Sequence, residues 1–447
     1  MTPMPAAIAP ARQAAFDILR KVGLEQGNSD TLLHSQQVDA LSQSDRNLCT
    51  TLVLGTLRWQ RVLDAESRRF LSRPDLSLPE DAMLALRVGA YQLLFLDRIP
   101  VHAAIFESVE WVKQSEGARQ AGLVNAVLRK VAALPKTRNF AAELAYPEWM
   151  VARWRKFYGV DACQRICEEG QQEPRAALRL MTPDAEEALR SNRVTLGPGE
   201  FLAKARWITN SNSGDTKALT HAQFQDEGSQ LVAELVGQGA RILDCCAAPG
   251  GKTAVLLQNN PDAQVMACDI HPTRLATMQR RLLASAGIDH VEFCVADAAS
   301  LRDVGPFDRI LCDVPCSGTG TVARNPEIRH RLQPQELGRQ AERQRAILAS
   351  AMRLLAPGGR LLYATCSLEP EENEQVVEAC LQGARTSVRG LTRLDLRAEF
   401  DTMEQEGIVR GEAVAALRNT GFRDGYLRTL PGVHPCDGFF ATLIERR

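Results

Sequence analysis

The sequence is 447 residues long and lacks long hydrophobic runs. A transmembrane helix needs roughly 20 uninterrupted apolar residues, and no window of this sequence supplies them. The first residues contain no long apolar stretch either, which argues against a secretion signal. We therefore expect a cytoplasmic protein with no membrane partner.

The sequence contains 12 cysteines but no CxxC pair. Two pairs, Cys163 with Cys167 and Cys312 with Cys316, have three intervening residues. Cysteines in the helices and strands of a reduced compartment account for most of them. The cysteine spacing therefore predicts neither a zinc site nor another metal centre.

No excess of either charge is present, because 53 basic residues face 54 acidic ones and the net charge is -1. A nucleic-acid partner cannot be inferred from this total, so any basic surface must be local. The hydrophobic fraction of 45% and charged fraction of 24% are typical of folded globular proteins. At about 150 residues per domain, the length suggests roughly three domains.

Residues 1–135 have a helical pattern throughout. Apolar residues recur at i, i+3 and i+4 in segments such as LCTTLVLGTLRWQRVL and DAMLALRVGAYQLLFL. Pro74, Pro79 and Pro100 fall where helices should begin or end. We predict an all-α domain. It has no acid-base cluster of its own, so we interpret it as a binding module.

Two further domains follow in the sequence. Residues 136–225 combine a linker, a helix and a small α+β piece, with strands RAALRLM and WIT around helix DAEEALRSN, and we interpret them as an RNA-recognition domain. In residues 226–447, strands alternate with helices, which predicts a doubly wound, mostly parallel sheet. The last strand, FFATLIER, is expected to pair antiparallel at the end of this sheet.

The first strand of the predicted sheet ends in LDCCAAPGGKT, residues 243–253. Gly250 and Gly251 allow a ligand to approach the backbone, and Lys252 opens a helix whose N–H groups point into the cleft. A phosphate-binding loop would need glycine at position 246, which is Cys246. The segment is therefore not a nucleoside-triphosphate loop, and it contains no GxGxxG pattern.

Four successive predicted strands end at or near an aspartate, namely Asp244, Asp269, Asp297 and Asp313. An acid at the second strand end can bind the two hydroxyls of a ribose, and Asp297 could accept from an adenine amino group. A single aspartate at a strand end is more often a helix cap. The joint pattern instead favours an adenosine ligand without a triphosphate.

Two thiols face the same predicted cleft. Cys316 lies in DVPCSGTG after the fourth strand, and Cys366 lies in ATCSLEPEEN after the fifth. Methylation of carbon 5 of cytosine needs a thiolate that adds to carbon 6, and an acid such as Asp313 that protonates or hydrogen-bonds ring nitrogen 3. This chemistry alone does not choose between Cys316 and Cys366.

Four segments, LDCCAAPGGKT, DVPCSGTG, YATCSLEPEENE and LPGVHPCDGFFATL, resemble in this order the RNA cytosine-5 methyltransferases of the Fmu/Sun and nucleolar Nop2 type, over residues 225–447. The resemblance implies that Cys366 is the nucleophile and that Cys316 assists product release. It also implies S-adenosylmethionine as the cofactor. The residues implied to bind this cofactor are Cys246, Ala247, Ala248, Pro249, Gly250, Gly251, Lys252, Asp269, Asp297 and Asp313.

The N-terminal segments LLFLDRIPVHAAIFESVEWVK and GLVNAVLRK resemble the NusB-like RNA-binding domain. This fusion is typical of bacterial enzymes that methylate 16S ribosomal RNA, the RNA of the small ribosomal subunit. We therefore expect this RNA to be the partner, and we expect the protein to be a monomer. Arg58, Arg129 and Lys130 are candidate phosphate contacts. The alternatives are the same chemistry on another RNA, such as transfer RNA, and a non-catalytic RNA-binding factor of ribosome assembly.

Two features depart from the expected pattern. ARNPEIRHRL has His330 where an aromatic residue is commoner in the family that the sequence resembles. Residues 386–428 are charged and long for their place, and no pattern explains them.

Overall fold

The computed structural model describes residues 8–73, 75, 77–135, 139–211, 222–286, 290–384 and 390–447. The backbone forms two compact units. The first contains residues 1–173 and 322–331, and the second contains residues 174–321 and 332–447. The domain boundaries expected at residues 135 and 225 stay a prediction.

The first unit is helical. Its helices in chain order are α1 (Pro10–Gly23), α2 (Ser29–Leu33), α3 (Gln36–Asp39), α4 (Gln43–Arg68), α5 (Glu80–Phe95), α6 (Val101–Glu116), α7 (Ala118–Ala132), α8 (Glu148–Tyr158) and α9 (Val160–Glu169). Pro79 and Pro100 are the residues before α5 and α6, as the sequence predicts, whereas Pro74 lies outside the described residues. The prediction of an all-α N-terminal fold is confirmed.

Helix α5 forms the centre of this unit, because nearly all of its residues are buried. It packs against α4, α6 and α7, and the close approach to α4 depends on a glycine. A Cβ atom at Gly55 would lie only 2.0 Å from the ring carbon Cζ of Tyr91. Any larger residue at position 55 would therefore collide with the Tyr91 ring, which would have to move.

The second unit begins with a small α+β piece. Its elements are β1 (Ala177–Leu180), α10 (Ala185–Ser191), β2 (Val194–Pro198), β3 (Ala205–Ser211) and β4 (Ala222–Phe224). The strands form an antiparallel sheet in the order β2-β3-β1-β4. Both predicted strands and the predicted helix are present.

The rest of the second unit alternates strands and helices. The elements are α11 (Glu227–Glu234), β5 (Arg241–Asp244), α12 (Gly251–Asn259), β6 (Gln264–Asp269), α13 (Pro272–Ala286), β7 (Val291–Val295), β8 (Phe307–Asp313), α15 (Pro334–Leu354), β9 (Leu355–Thr365), α16 (Glu374–Ala384), β10 (Leu391–Leu394), α17 (Leu396–Gln405), α18 (Val414–Thr420), β11 (Phe422–Arg423), β12 (Tyr426–Arg428) and β13 (Phe440–Arg446). A short helix, α14 (Ile328–Arg331), falls between α13 and α15 in the sequence but belongs to the helical unit.

The large sheet has the strand order β11-β12-β13-β9-β8-β5-β6-β7, with β10 pairing to β13. Strands β5 to β9 pair in parallel, and β13 pairs antiparallel with β9, as predicted. The strand order reverses at β5, which has β6 on one side and β8 on the other. In sheets of this kind ligands bind at the carboxyl ends of the strands beside such a reversal. The prediction of a doubly wound, mostly parallel sheet is confirmed, and the fold is Rossmann-like.

The last strand is not at the edge of the sheet. Both β12 and β10 pair with β13 on the side away from β9. These strands come from residues 386–428, the stretch that the sequence pattern did not explain. Within the described residues, no helix is long and apolar enough to span a bilayer.

The segment 322–331 is anchored in the helical unit by its charged side chains. Glu327 accepts hydrogen bonds from the backbone N and the Oγ of Ser29, at 2.9 and 2.8 Å. Arg331 donates to the carbonyl oxygens of Val22 and Gly27, both at 2.6 Å. These hydrogen bonds join residues about 300 positions apart in the sequence.

Arg329 is the most deeply buried cation of this segment, with 1% exposure. Its guanidinium donates to the carbonyl oxygens of Arg58, Gly170 and Val322, at 3.2, 3.0 and 3.3 Å. It also lies 4.0 Å above the ring of Tyr146. The charge is therefore stabilised by carbonyl dipoles and an aromatic face.

The neighbouring His330 binds the same helical unit. Its Nε2 lies 2.7 Å from the carbonyl oxygen of Leu57. Burial lowers the pKa of His330 to about 3, so its ring is neutral at physiological pH. The histidine found where an aromatic residue is commoner thus packs as a neutral ring with one polar contact.

We expect Arg329→Ala to lower the free energy of unfolding by about 3 kcal/mol or more, because three buried carbonyl groups lose their donor. Urea unfolding followed by circular dichroism measures the change. Arg119→Ala, which removes an exposed arginine at the start of α7, is the matched control and should change the value by less than about 0.5 kcal/mol. Equal unfolding midpoints for the two variants would contradict the structural role of Arg329.

Candidate active site

The loop predicted to bind the cofactor connects β5 to α12. Its residues Cys246, Ala247, Ala248 and Pro249 follow the end of β5, and α12 begins at Gly251. Gly250 has a φ of 103°, a left-handed conformation that favours glycine. A Cβ atom at this position would also lie 2.7 Å from Cγ of Met278. Both observations require glycine at position 250.

Asp244, the last residue of β5, stabilises the start of this loop. Its side chain is buried, and Oδ2 accepts a hydrogen bond from Oγ1 of Thr253 at 2.7 Å. Burial raises the pKa of Asp244 to about 7. Asp244 therefore connects the end of β5 with the first turn of α12.

Asp269 and Asp297 follow the next two strands, as predicted. Asp269 accepts from the backbone N of Ala248 at 3.2 Å and from that of His271 at 2.8 Å, so it joins the end of β6 to the cofactor loop. Asp297 lies two residues beyond β7 and is exposed. Its Oδ1 caps a short 3-10 helix by accepting from the backbone N of Ala299 at 3.0 Å.

Asp313, the last residue of β8, forms an ion pair with Lys252. The distance between Nζ of Lys252 and Oδ2 of Asp313 is 2.6 Å. Burial disfavours the Lys252 cation, but the Asp313 carboxylate more than compensates and the pKa of Lys252 is raised. The charged form of Cys366 contributes to the same increase, so the ammonium lies within electrostatic reach of that thiol. The sequence did not predict this position for Lys252.

The two cysteines of the predicted site are in contact. Sγ of Cys316 lies 3.4 Å from Sγ of Cys366. The contact with Cys366 and burial together raise the pKa of Cys316 well above its ordinary value. Cys316 is therefore held as a neutral thiol next to Cys366.

A buried glutamate, Glu372, holds the two cysteine loops together. Its carboxylate accepts from the backbone N of Ser317 at 2.8 Å and also from Oγ of Ser317. It accepts from Oγ of Ser367 and, at 3.0 Å, from Nε2 of Gln344 on α15. Since Ser317 follows Cys316 and Ser367 follows Cys366, one carboxylate fixes both loops.

Direct hydrogen bonds add to this connection. The backbone N of Gly320 donates to the carbonyl oxygen of Cys366 at 2.9 Å, and the backbone N of Leu368 donates to Oγ1 of Thr319 at 2.9 Å. Sequence reasoning missed Glu372, although it lies in the quoted EPEEN segment. A run of acidic residues is usually solvent-exposed, so it does not indicate a buried hydrogen-bond acceptor. The only signal for Glu372 in the sequence is its position six residues after Cys366.

The segment before the last strand forms part of the same region. His434 is buried, and its Nδ1 accepts from the backbone N of Leu430 at 2.9 Å while Nε2 lies 3.0 Å from Oγ1 of Thr420. Phe439 follows this turn, and its ring centroid lies 5.2 Å from Nζ of Lys252. The turn therefore brings an aromatic side chain to the ion pair.

The candidate RNA contacts of the helical unit occupy different environments. Arg58 is 7% exposed, and its Nη2 donates to the carbonyl oxygen of Ala323 at 3.0 Å. Burial lowers the pKa of Arg58, and its position argues against a direct phosphate contact. Arg129 and Lys130 are exposed in the last turn of α7, and their contact with RNA stays a prediction.

Potential metal ligands do not converge in the part of the chain that the structure describes. No group of three or more histidine, cysteine, aspartate or glutamate side chains there could hold a metal ion. The site consists instead of an ion pair, two thiols and a cofactor loop, beside the reversal of strand order.

Comparison with known proteins agrees with this description. Residues 235–445 match the family model described as 16S rRNA methyltransferase RsmB/F, and residues 9–133 match the NusB family. A Bacillus subtilis protein named probable ribosomal RNA small subunit methyltransferase B is 30% identical over 98% of both chains. The ribosomal RNA small subunit methyltransferase B of Pseudomonas putida is 34% identical over 83% of this chain and 88% of its own.

A solved structure supports the fold. The crystal structure of PH0851 covers 99% of this chain and 100% of its own, with a TM-score of 0.78 and 23% identity. Together with the site, these matches define a methyltransferase with a Rossmann-like fold. The chain belongs to the 16S rRNA methyltransferase RsmB/F family and contains a NusB-family region. The resemblance inferred from the sequence is confirmed.

We expect Glu372→Ala to lower kcat for methyl transfer on the order of 10²-fold, because both thiol loops lose their common acceptor. The dissociation constant of the cofactor should stay within about threefold, since the Glu372 carboxylate binds the thiol loops and α15 rather than the β5–α12 loop. Glu372→Gln, which keeps the volume, should recover part of the rate.

Initial rates measured with tritiated cofactor test this expectation. The matched control is Glu378→Ala, which removes an exposed glutamate on α16 and should leave kcat unchanged. An unchanged kcat in Glu372→Ala would refute the positioning role. A loss of cofactor binding equal to the loss of rate would do the same.

Proposed function

We propose that this chain methylates carbon 5 of a cytosine in 16S ribosomal RNA, with S-adenosylmethionine as the methyl donor. The observation that carries the proposal is the 3.4 Å contact between Cys316 and Cys366, beside the Lys252–Asp313 ion pair. An ordinary methyltransferase site needs no pair of thiols. A covalent route through carbon 6 of cytosine needs at least one.

The strand-end residues fit an adenosine cofactor. Asp269 presents a carboxylate beside the backbone of the β5–α12 loop, and Asp297 is exposed after the next strand. We assign Asp269 to the ribose hydroxyls and Asp297 to the adenine amino group. The loop from Cys246 to Lys252 provides backbone N–H groups at the start of α12. S-adenosylmethionine, when bound, supplies an electrophilic methyl group.

Cys366 is the nucleophile in the proposed mechanism. Its thiolate adds to carbon 6 of the cytosine, and the Lys252 ammonium stabilises the negative charge before the addition. We assign Asp313 to ring nitrogen 3, to which it donates a proton or a hydrogen bond as negative charge develops there during formation of the bond to carbon 6. The addition makes carbon 5 nucleophilic enough to accept the methyl group.

Cys316 acts after methyl transfer. Burial and the contact with Cys366 raise the pKa of Cys316, and the family resemblance assigns the attack on carbon 6 to Cys366. Once a base removes the proton on carbon 5, the Cys366–carbon 6 bond breaks and the Cys366 thiolate leaves. We propose that Cys316 assists this release of the product. The two thiols therefore have separate roles although they are neighbours.

Substitution of each cysteine tests this assignment. Cys366→Ala should abolish methyl transfer and form no covalent RNA complex. Cys316→Ala should accumulate a covalent RNA adduct, because release is blocked after addition. Denaturing gel electrophoresis with labelled 16S ribosomal RNA detects the adduct, and Cys49→Ala, which changes a buried cysteine of α4, is the matched control. An adduct formed by Cys366→Ala instead would reverse the two roles.

The substrate assignment has its own test. Bisulfite sequencing of ribosomal RNA from a strain that lacks this gene should reveal the loss of one 5-methylcytosine from 16S RNA. Complementation with the wild-type gene should restore it, and complementation with Cys366→Ala should not. An unchanged 16S RNA in the deletion strain would refute the ribosomal assignment and would leave another RNA, such as transfer RNA, as the substrate.

A further inference from the structure

A concave pocket in the second unit has no role in the proposed chemistry. It lies between α10, the turn before β3 and the loop after α17, and its volume is about 360 Å³. Three arginines line it, Arg190, Arg206 and Arg410, together with one acid, Glu186. Its remaining walls are mainly apolar.

The charges in this pocket do not cancel. Arg206 donates Nε and Nη2 to Oε2 of Glu186, at 2.9 and 2.7 Å, and Arg190 donates Nη2 to Oε1 of Glu186 at 2.7 Å. One carboxylate is therefore shared by two guanidiniums, and Arg410 adds a third positive charge. Three positive charges and one negative charge leave an excess of two positive charges.

Neighbouring acids do not remove this excess. Glu200 pairs with Arg175 at 3.0 Å, and the Arg175 guanidinium lies 4.2 Å above the ring of Trp207. The exposed Glu187 and Glu412 do not line the pocket. The pocket is therefore a localised positive site in a chain whose net charge is only -1.

The backbone of the turn before β3 is rigidly held. The buried carboxylate of Glu227 accepts from the backbone N of Glu200, Phe201 and Leu202, at 3.0, 2.8 and 2.7 Å. Three backbone hydrogen bonds to one carboxylate fix the conformation of this turn. The pocket is therefore preformed on that side.

The loop that contributes Arg410 is attached to the same turn. Backbone hydrogen bonds join Ala203 to Ile408 at 2.9 Å and Arg410 to Phe201 at 3.1 Å. Gly411 has a φ of 134°, and a Cβ atom there would lie 2.1 Å from the carbonyl oxygen of Glu200. This close approach aligns the loop with the turn.

Backbone acceptors orient two of the guanidiniums. Nη2 of Arg410 donates to the carbonyl oxygen of Ala203 at 3.3 Å. Nη1 of Arg206 donates to the same oxygen at 2.9 Å. Arg206 is thus fixed by several acceptors, and one hydrogen bond directs Arg410 to the same side of the pocket.

We propose that Arg190 and Arg410 bind a backbone phosphate of the RNA substrate, while Arg206, whose Nε and Nη1 donors are occupied by Glu186, Ala203 and Ala205, adds positive charge beside them. This inference rests on the proposed function, because it takes RNA as the substrate. Guanidinium groups bind phosphate oxygens in a bidentate manner, and an excess of two positive charges matches one phosphate or two adjacent ones. Among the residues that the structure describes, no aromatic side chain lines the pocket, so it contacts the backbone and not a base.

A phosphate contact of this kind contributes to binding and orientation. The pocket is formed by the small α+β piece and the loop after α17, neither of which contains a thiol of the active site. Loss of the pocket should therefore raise KM for RNA and leave kcat unchanged. Residues 408–411, which the sequence pattern did not explain, acquire a function in substrate binding.

The double variant Arg190→Gln/Arg410→Gln tests the proposal. Both side chains are exposed, and Arg206 is retained because it holds the turn. Affinity for a 16S ribosomal RNA fragment, measured by fluorescence anisotropy at several salt concentrations, should fall about tenfold or more. The slope of log K against log salt should become shallower by about 0.7 for each phosphate of single-stranded RNA that the variant no longer neutralises.

The matched control is Arg423→Gln, which neutralises an exposed arginine of β11 outside the pocket. It should leave both the affinity and the salt slope unchanged. Thermal unfolding midpoints equal to that of the wild-type chain establish that both variants fold. A wild-type salt slope in the double variant would overturn the proposal.

Two further measurements distinguish an RNA phosphate from a free anion and separate this proposal from the proposed function. In the first measurement, inorganic phosphate is titrated against the wild-type chain. If the chain binds phosphate but the double substitution does not change its affinity for RNA, the RNA assignment is overturned in favour of a small-anion site. Anisotropy requires no methyl transfer, so the phosphate pocket is tested even if 16S RNA is not methylated. A wild-type chain that binds RNA through this pocket but transfers no methyl group would refute only the proposed function.

Discussion

The arrangement of the active site depends on a buried carboxylate, that of Glu372. Burial of a charged group costs free energy unless hydrogen bonds compensate for the loss of water. Here the compensation comes from Ser317, Ser367 and Gln344, which belong to two loops and to helix α15. The carboxylate therefore connects the carboxyl ends of β8 and β9, and the contact between the two thiols follows from this connection. Without such an acceptor, the loops would be joined mainly by their few direct hydrogen bonds.

Much of the fold could be predicted because its elements are periodic. Helical spacing and two prolines indicated the N-terminal helices, and alternation of strands and helices indicated the parallel sheet. The strands β10, β11 and β12 could not be predicted, because they are two to four residues long and carry no period. Both β10 and β12 pair with β13, and this pairing arises only when the chain folds. The anchoring of segment 322–331 in the helical unit likewise has no signal in the sequence.

The candidate site was predictable to the level of residue types at strand ends. Because the four aspartates and the two cysteines lie at or near strand ends, they could be predicted to share one edge of the sheet. The family resemblance selected Cys366 as the nucleophile. Partners across the site were not predictable: Lys252 was interpreted as the residue that opens a helix and helps to bind the cofactor, yet its ammonium pairs with Asp313. Arg58 shows the opposite error, since an arginine on a helix is usually exposed whereas this one is buried under Ala323. Pairing and burial are properties of the folded chain.

The segment 322–331 has a consequence for how this chain can evolve. It lies within the residues that match the RsmB/F family, but its side chains bind Val22, Gly27, Ser29, Leu57 and Arg58 in the part that matches the NusB family. The boundary between the two family matches in the sequence therefore differs from the boundary between the two compact units of the structure. A recombination event that replaced the NusB region alone would leave Glu327, Arg329 and Arg331 without their partners.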